Sequence, residues 1–429
     1  MKTENAKTVA APPVAPTAEA QRHAVLDVLR GLALMGIALA NFPEFGLWSF
    51  LTEAHRAALP WAEADAAVRF VQYVLVDAKF YTVFSLLFGI GFSIILEHSM
   101  ARGRSGIRLF YRRMGVLVGI GLAHMMLLWS GDILLLYAAM GLLLPLFARL
   151  SDRALLGWAA VLCLLPVALE AVQAAAGVRF AQPLVDLQWR YAVRYGITLP
   201  EAADTARGWD DLAVWLRDAT SYRQLLQFLV MGAFERMSEF VDGHRALRVL
   251  GLFLLGYVVG RRRLYARLGE LHRALARTFR VALGVGLPVS AVYAWSASAG
   301  QPWGPVAHSA LYTASALTLG VAIASGVALL CRRGGGAVAS FFAAPGRMAL
   351  SCYIGQTLAG IALFYGLGLR LGATLGLAQI ELVALGVFAA EALLCRLWLR
   401  RFRFGPLEWL WRMLTYGRWL DPRRTAQSS

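Results

Sequence analysis

The chain is built from long apolar blocks interrupted by short arginine-rich segments, and this pattern leaves few folds open to it. The blocks run roughly 17–25 residues, the length an α-helix needs to cross a hydrocarbon core. Backbone polar groups in lipid must be satisfied within the segment, so each block is expected to be helical. A membrane β-barrel would instead alternate apolar and polar residues over about 10 positions, and no such alternation is present. Of the 429 residues, 59% are hydrophobic, more than a soluble core of this size requires. The expected fold class is therefore all-α, a polytopic integral membrane helix bundle.

Ten transmembrane helices can be placed, at about 26–48, 67–97, 114–130, 132–150, 154–176, 246–260, 281–298, 308–331, 347–368 and 379–401. Arginines gather in alternate connections: Arg102, Arg104, Arg108, Arg112 and Arg113; Arg149 and Arg153; seven between Arg261 and Arg280; Arg332 and Arg333; and Arg396, Arg400, Arg401 and Arg403. With ten spans these lie on the same side as both termini, and the positive-inside rule makes that side the cytoplasm. The expectation is a multi-pass protein of a bacterial inner (plasma) membrane with both ends cytoplasmic. The net charge of +16 then reports topology. The basic residues punctuate apolar blocks and build no folded basic face, so no nucleic acid is expected as a partner, whereas membrane lipid is.

Five regions follow. Residues 1–22 are Ala/Pro-rich, lack the apolar region of a signal peptide, and read as a disordered cytoplasmic tail. Residues 23–176 hold five spans, and 246–404 another five. Between them, 177–245 is an extracytoplasmic segment long enough for a small helical cap. Its apolar stretch from Leu225 to Phe234 is too short to span, and suits the interface or a dip back into the bilayer. In 405–429, Gly405-Pro406 ends the last span, and Leu407, Leu410, Trp411 and Leu414 recur at helical spacing, as in an interfacial helix; Glu408 and Arg412 can pair at i, i+4. The four cysteines, Cys163, Cys331, Cys352 and Cys395, sit in or beside apolar blocks without metal-ligand spacing and read as packing residues. No metal is expected.

Ionisable and amide groups inside spans are costly there and so are the functional candidates. Asp27 and Arg30 are three apart on one face, either a structural ion pair or an arginine placed to grip a phosphate. Asn41 offers an interhelical hydrogen bond or an oxyanion donor. Asp77 and Lys79, two apart, face different neighbours; Lys79 suits a buried pair with an acid such as Asp27 or Asp132, or a charged cavity wall. His124 is an interhelical histidine or a general base, and Asp132 is a helix N-cap or the carboxylate that sets its tautomer. Arg347 and Ser351 share one face of the ninth span, Tyr353 and Gln356 another. A helix N-terminus with an arginine is an anion site in principle, or a lipid-phosphate anchor. His55 and His308 are singletons. No phosphate-loop, dinucleotide or zinc-peptidase motif is present.

At these residues the chain resembles the YeiB-like bacterial membrane proteins, whose common domain has no assigned function. The matching stretches are 26–37 with Asn41; Lys79-Phe80 with 84–89; 121–124 ending in His124; 131–134 containing Asp132; 346–351 with Tyr353 and Gln356; and 405–412. That family is distantly similar to transmembrane acyltransferases, including bacterial O-acyltransferases and a lysosomal heparan-α-glucosaminide N-acetyltransferase. The link is an Asp followed by Arg-Gly in the first span, with a polar residue eleven after the Arg. The O-acyltransferases carry histidine there and this chain carries Asn41, as does the lysosomal enzyme. His55 matches the later position of that enzyme's histidine but lies in no YeiB-like motif.

The resemblance implies acyl transfer from cytoplasmic acyl-CoA to a hydroxyl or amine of an envelope glycan, lipid or small-molecule acceptor. Arg30 and Arg347 would hold the donor phosphates, His124 would deprotonate the acceptor, Asp132 would orient His124, and Asn41 or Lys79 would stabilise the oxyanion. Asp27, Ser351, Tyr353 and Gln356 would line the substrate path. The alternatives are a transporter or flippase for a small solute or lipid-linked unit, and a sensor subunit with 177–245 as receptor.

Overall fold

The computed structural model describes residues 23–100, 106–195 and 205–423, with 205–209 described by backbone alone. The tail expected at 1–22, Arg102 and Arg104, and residues 424–429 lie outside the described residues. In chain order the helices are α1 (Ala24–Phe45), α2 (Glu53–Ala57), α3 (Ala62–Leu75), α4 (Lys79–Met100), α5 (Gly106–Leu127), α6 (Leu134–Leu143) and α7 (Asp152–Ala176). Then come α8 (Gln182–Tyr195), α9 (Thr205–Asp218) and α10 (Tyr222–Asp242). The remainder are α11 (Arg245–Arg261), α12 (His272–Ser298), α13 (Gly304–Arg332), α14 (Gly336–Arg347), α15 (Ala349–Phe364), α16 (Leu377–Arg401) and α17 (Pro406–Tyr416).

Among the described residues, six helical stretches are long and apolar enough to cross a membrane: α1, α3 with α4, α7, α12, α13 and α16. A seventh is α14 with α15, if this pair, bent by 83°, counts as one span. The protein is a multi-pass membrane helix bundle. Three of the ten expected spans fall short of that measure. α5 carries Arg108, Arg112 and Arg113 in its first two turns, α11 has 17 residues, and α6 with the 3₁₀ turn after it forms a short apolar helix, Leu134–Phe147. Hydropathy does not separate a short helix shielded by its neighbours from one that crosses alone. α11 is shielded in this way, packed between α4 and α7 with most of its residues buried.

One break also differs from the continuous helix expected over 67–97. Between α3 and α4, the amides of Val76 and Asp77 both return to Gln72 O, and Ala78 takes the left-handed φ of 66°. Tyr73 O thereby loses the amide of Asp77. At Met348 the chain turns the corner between α14 and α15.

α1 packs on α14, α16, α4 and α15. Its crossing with α14 is backbone on backbone: a Cβ on Gly31 would lie 1.9 Å from Phe342 O, and one on Gly346 would lie 1.8 Å from Asp27 O. Small residues allow such close approach where no hydrophobic effect drives helices together. The described residues of the segment 177–245 are largely helical, in α8, α9 and α10, and docked. Thr52 N and Oγ1 donate to Asp210 at 2.8 and 2.7 Å, joining α9 to the start of α2. The apolar stretch of α10 belongs to the same buried core as Phe45 and Trp129. α17 lies against α5 and α15, with Thr415 buried and Leu410 and Leu414 exposed.

Candidate functional site

The first element of the site is a cavity of about 250 Å³ among α1, α4, α5, α15 and α17. Its lining includes four guanidinium groups, Arg30, Arg113, Arg347 and Arg412, against one carboxylate, Glu408. Arg30 and Arg347, the two expected phosphate ligands, are thus brought together. Arg30 Nη1 is 2.9 Å from Asp27 Oδ1, so the ion pair read from the sequence forms. Arg113 lies 3.8 Å over the ring of Trp411, whose indole N–H donates to Arg113 O. The deeper lining is apolar and includes Phe88, Ile133, Leu134 and Tyr353.

The N-terminus of α15 is not open to a ligand. Glu408 fills it, accepting from Leu350 N at 2.6 Å, Ser351 N at 3.0 Å and Ser351 Oγ at 2.6 Å. Burial pushes the Glu408 carboxyl above its ordinary range, against the pull of these hydrogen bonds. A carboxylate at a helix N-terminus satisfies amides left over by the helix. Ser351 therefore supports the junction with α17. Glu408→Ala should cost about 1–2 kcal/mol through the lost cap. The checks are a lower Tm of the detergent-solubilised protein and faster proteolysis at α17, partly recovered in Glu408→Gln.

The second element is a hydrogen-bonded chain of three buried side chains. His124 Nδ1 is 2.8 Å from Asp132 Oδ1, and His124 Nε2 is 3.0 Å from Thr357 Oγ1. Exposures of 2%, 1% and 1% for His124, Asp132 and Thr357 seal the chain from both ends of the bundle. The other oxygen, Asp132 Oδ2, accepts from Leu135 N at 2.7 Å, so Asp132 caps α6 and orients His124 together. Because the carboxylate can only accept, Nδ1 carries a proton and donates it, and a neutral imidazole then presents a bare Nε2 to the Thr357 hydroxyl. Tyr353 and Trp129 close over His124, with ring centroids 5.1 and 6.3 Å away.

The third element is a cavity of about 610 Å³ under the α8–α10 segment. Glu44, Glu53, Glu235 and Glu239 line it with Arg56 and Arg236, so carboxylates outnumber guanidiniums by four to two. Ser130 and Gly131 line this cavity, while Ile133 and Leu134 line the arginine-rich one. Asp132 lies between them, and the His124 chain occupies the wall separating the two spaces.

Other expected site residues sit elsewhere. Lys79 Nζ donates to Tyr73 O at 2.6 Å, taking the carbonyl freed by the α3–α4 break, and lies 5.1 Å from the Tyr293 ring. It pairs with neither Asp27 nor Asp132 and is not beside His124. Asp77 accepts from the Tyr293 hydroxyl. Asn41 is half-buried and lines neither cavity. Gln356 Nε2 donates to Glu391 at 2.9 Å, facing α16. His55 Nδ1 is 3.5 Å from Asp210, away from His124. Cys352 and Cys395 are free, with their sulfurs 3.3 Å apart between α15 and α16.

Three contributors went unmarked in the sequence. Thr357 is uncharged and sits inside an apolar helix, where a threonine is unremarkable. Arg113 and Arg412 read as loop and helix-face charges, and reach the cavity because α17 folds back on α5.

Residues 259–418 match the family model described as Protein of unknown function (DUF418). The chain is similar to the uncharacterized protein YxaH of Bacillus subtilis (strain 168), with 29% identity over 414 residues covering 94% of this chain and 96% of YxaH. It is 28% identical over 439 residues to the uncharacterized protein YeiB of Escherichia coli (strain K12), covering 92% and 96% respectively. An uncharacterized 39.9 kDa protein of Bacillus acidopullulyticus is also 28% identical, over 403 residues. The arrangement of glycine, arginine and histidine motifs and the near full-length similarity agree: residues 259–418 match DUF418, and the chain is homologous to YeiB and YxaH over nearly its whole length.

Proposed function

We propose that the protein is a membrane-embedded acyltransferase, moving an acyl group from acyl-CoA at the arginine-rich face to a hydroxyl or amine presented from the other face. In this reading the bundle crosses a bacterial inner membrane ten times, the shorter α5, α6 and α11 completing the count. Both termini and the arginine-rich cavity then face the cytoplasm, following the distribution of arginine between connections.

The observation that carries the proposal is the Asp132–His124–Thr357 chain, set in the wall between a cationic cavity and a carboxylate-lined one. Guanidinium groups bind phosphate oxygens in bidentate fashion, which suits the phosphates of coenzyme A. The apolar depth of that cavity suits the pantetheine arm and the acyl chain. A histidine with its tautomer set by a carboxylate is a general base for the acceptor's proton. The carboxylates of the other cavity favour a cationic or neutral acceptor, such as an amino group or sugar hydroxyl, over an anionic one.

The test is purified protein with acetyl-CoA labelled in the acetyl group, incubated with bacterial envelope membranes. Label is expected in the envelope fraction, and His124→Ala should abolish its transfer. Arg30→Gln and Arg347→Gln should each weaken acetyl-CoA binding by roughly tenfold or more in calorimetric titration, because each removes a charge-assisted hydrogen bond worth about 1.5–3 kcal/mol. No acetyl-CoA binding and no transfer would reject the proposal. A transporter reading draws on the same separation of two cavities by a wall. It predicts uptake or export that changes on deletion, without any binding of coenzyme A.

A further inference from the structure

We infer that Thr357 is a covalent relay, accepting the acyl group from acyl-CoA as an ester and passing it on to the acceptor; this rests on the acyltransferase reading above. His124 has two ring nitrogens and both are engaged, Nδ1 with Asp132 and Nε2 with Thr357 Oγ1 at 3.0 Å. An acceptor arriving from the carboxylate-lined cavity cannot use Nε2 without displacing Thr357. The proton that His124 is set to remove is that of Thr357 itself. A nucleophile in hydrogen-bond reach of a base, with the base oriented by a third group, is the arrangement that activates a hydroxyl for covalent catalysis. Among the described residues, the other hydrogen-bond partner of the Thr357 hydroxyl is Tyr353 O, at the longer distance of 3.4 Å.

Position adds a second argument. Thr357 lies one helical turn beyond Tyr353, which lines the arginine-rich cavity, and it touches His124, which is tied to the 130–132 turn lining the other. The two cavities share no lining residue. An acyl group carried on Thr357 is handed across the wall between them, so that donor and acceptor never share one space. Tyr353, whose ring packs 5.1 Å from His124, is the side chain that must swing for the thioester to reach the hydroxyl.

The chemistry balances in two steps. In the first, the Thr357 proton passes to His124 Nε2 while Oγ1 attacks the thioester carbonyl carbon. The C–S bond breaks, and the sulfur leaves with that proton as free coenzyme A. In the second, His124 takes the proton of the acceptor hydroxyl or amine, whose oxygen or nitrogen attacks the ester carbon. The bond to Oγ1 breaks, and Oγ1 recovers the proton from His124. Nothing is oxidised or reduced, and no further reactant is consumed.

The experiment uses the full chain in detergent with labelled acetyl-CoA and no acceptor. The expected results are a burst of free coenzyme A equal to the protein present, and label on the peptide containing Thr357 that hydroxylamine or base removes. Thr357→Val, nearly identical in shape, should lower the burst rate and the transfer to envelope membranes by roughly a thousandfold, with acetyl-CoA binding unchanged. Thr357→Ser should retain both the burst and the label. Transfer by the wild type without burst or label, or transfer by Thr357→Val at the wild-type rate, overturns the relay and leaves the acyltransferase reading standing. Absence of any coenzyme A release and of any transfer in the wild type overturns both.

Discussion

Asp132→Asn is expected to lower acyl transfer by about 10⁴-fold while leaving the protein folded, as in other sites where a carboxylate fixes the tautomer of a catalytic histidine. Asp132 accepts two hydrogen bonds, from His124 Nδ1 and from Leu135 N. Asparagine has one carbonyl oxygen, and that oxygen goes to the amide capping α6. Its NH₂ group then faces Nδ1, which must accept, so the imidazole proton moves to Nε2. A protonated Nε2 cannot take the proton of Thr357 or of an acceptor. The cap survives, so thermal unfolding should change little, and acetyl-CoA affinity should be close to normal because the arginine-rich cavity is untouched. The discriminating measurement is transfer of labelled acetyl against pH. Transfer at the wild-type level would show that the His124–Asp132 pair is structural only.

Gly346→Ala should have the largest effect on stability. The new Cβ would lie 1.8 Å from Asp27 O, and the matching change at Gly31 would place one 1.9 Å from Phe342 O. Both obstacles are backbone, so no side chain can turn aside, and α14 must move off α1. Overpacking of a tight core costs about 1–3 kcal/mol, and more where the backbone has to shift. Arg347 follows Gly346 and Arg30 precedes Gly31, so the same movement pulls two of the four arginines out of register, and acetyl-CoA binding should fall with stability. Gly119→Ala is the control. A Cβ there meets nothing within 4 Å, and replacing a mid-helix glycine is expected to be neutral or mildly stabilising. Melting temperatures of the three variants in one detergent decide the matter.

What was legible in advance follows the cost of burying charge. Asp27, Arg30, His124, Asp132 and Arg347 announced themselves because ionisable groups at the edges or interior of apolar blocks need a reason to be there. The structure brings Arg30 and Arg347 to one cavity and joins His124 to Asp132. Lys79 was equally conspicuous, yet its position is decided by a local event, the break at Val76 to Ala78 that frees Tyr73 O. Nothing in the residue types of that stretch marks a break, since Ala78 adopts a left-handed conformation ordinarily left to glycine. Thr357 could not be flagged by charge, and its meaning comes only from the residue it faces, 233 positions away along the chain. The number of spans was the weaker part of the fold reading, because a helix enclosed by others has no need of full bilayer length.

The turn from Ser130 to Leu134 has a consequence for the cell as well as for the reaction. On the proposed topology, its two faces meet solutions held at different electrical potential and acidity, and the Asp132–His124–Thr357 chain lies between them. A histidine in such a place is a ready conductor of hydrogen ions. The aromatic rings of Trp129 and Tyr353 closing over His124 are therefore its insulation, and any variant that loosens them should let the membrane discharge slowly.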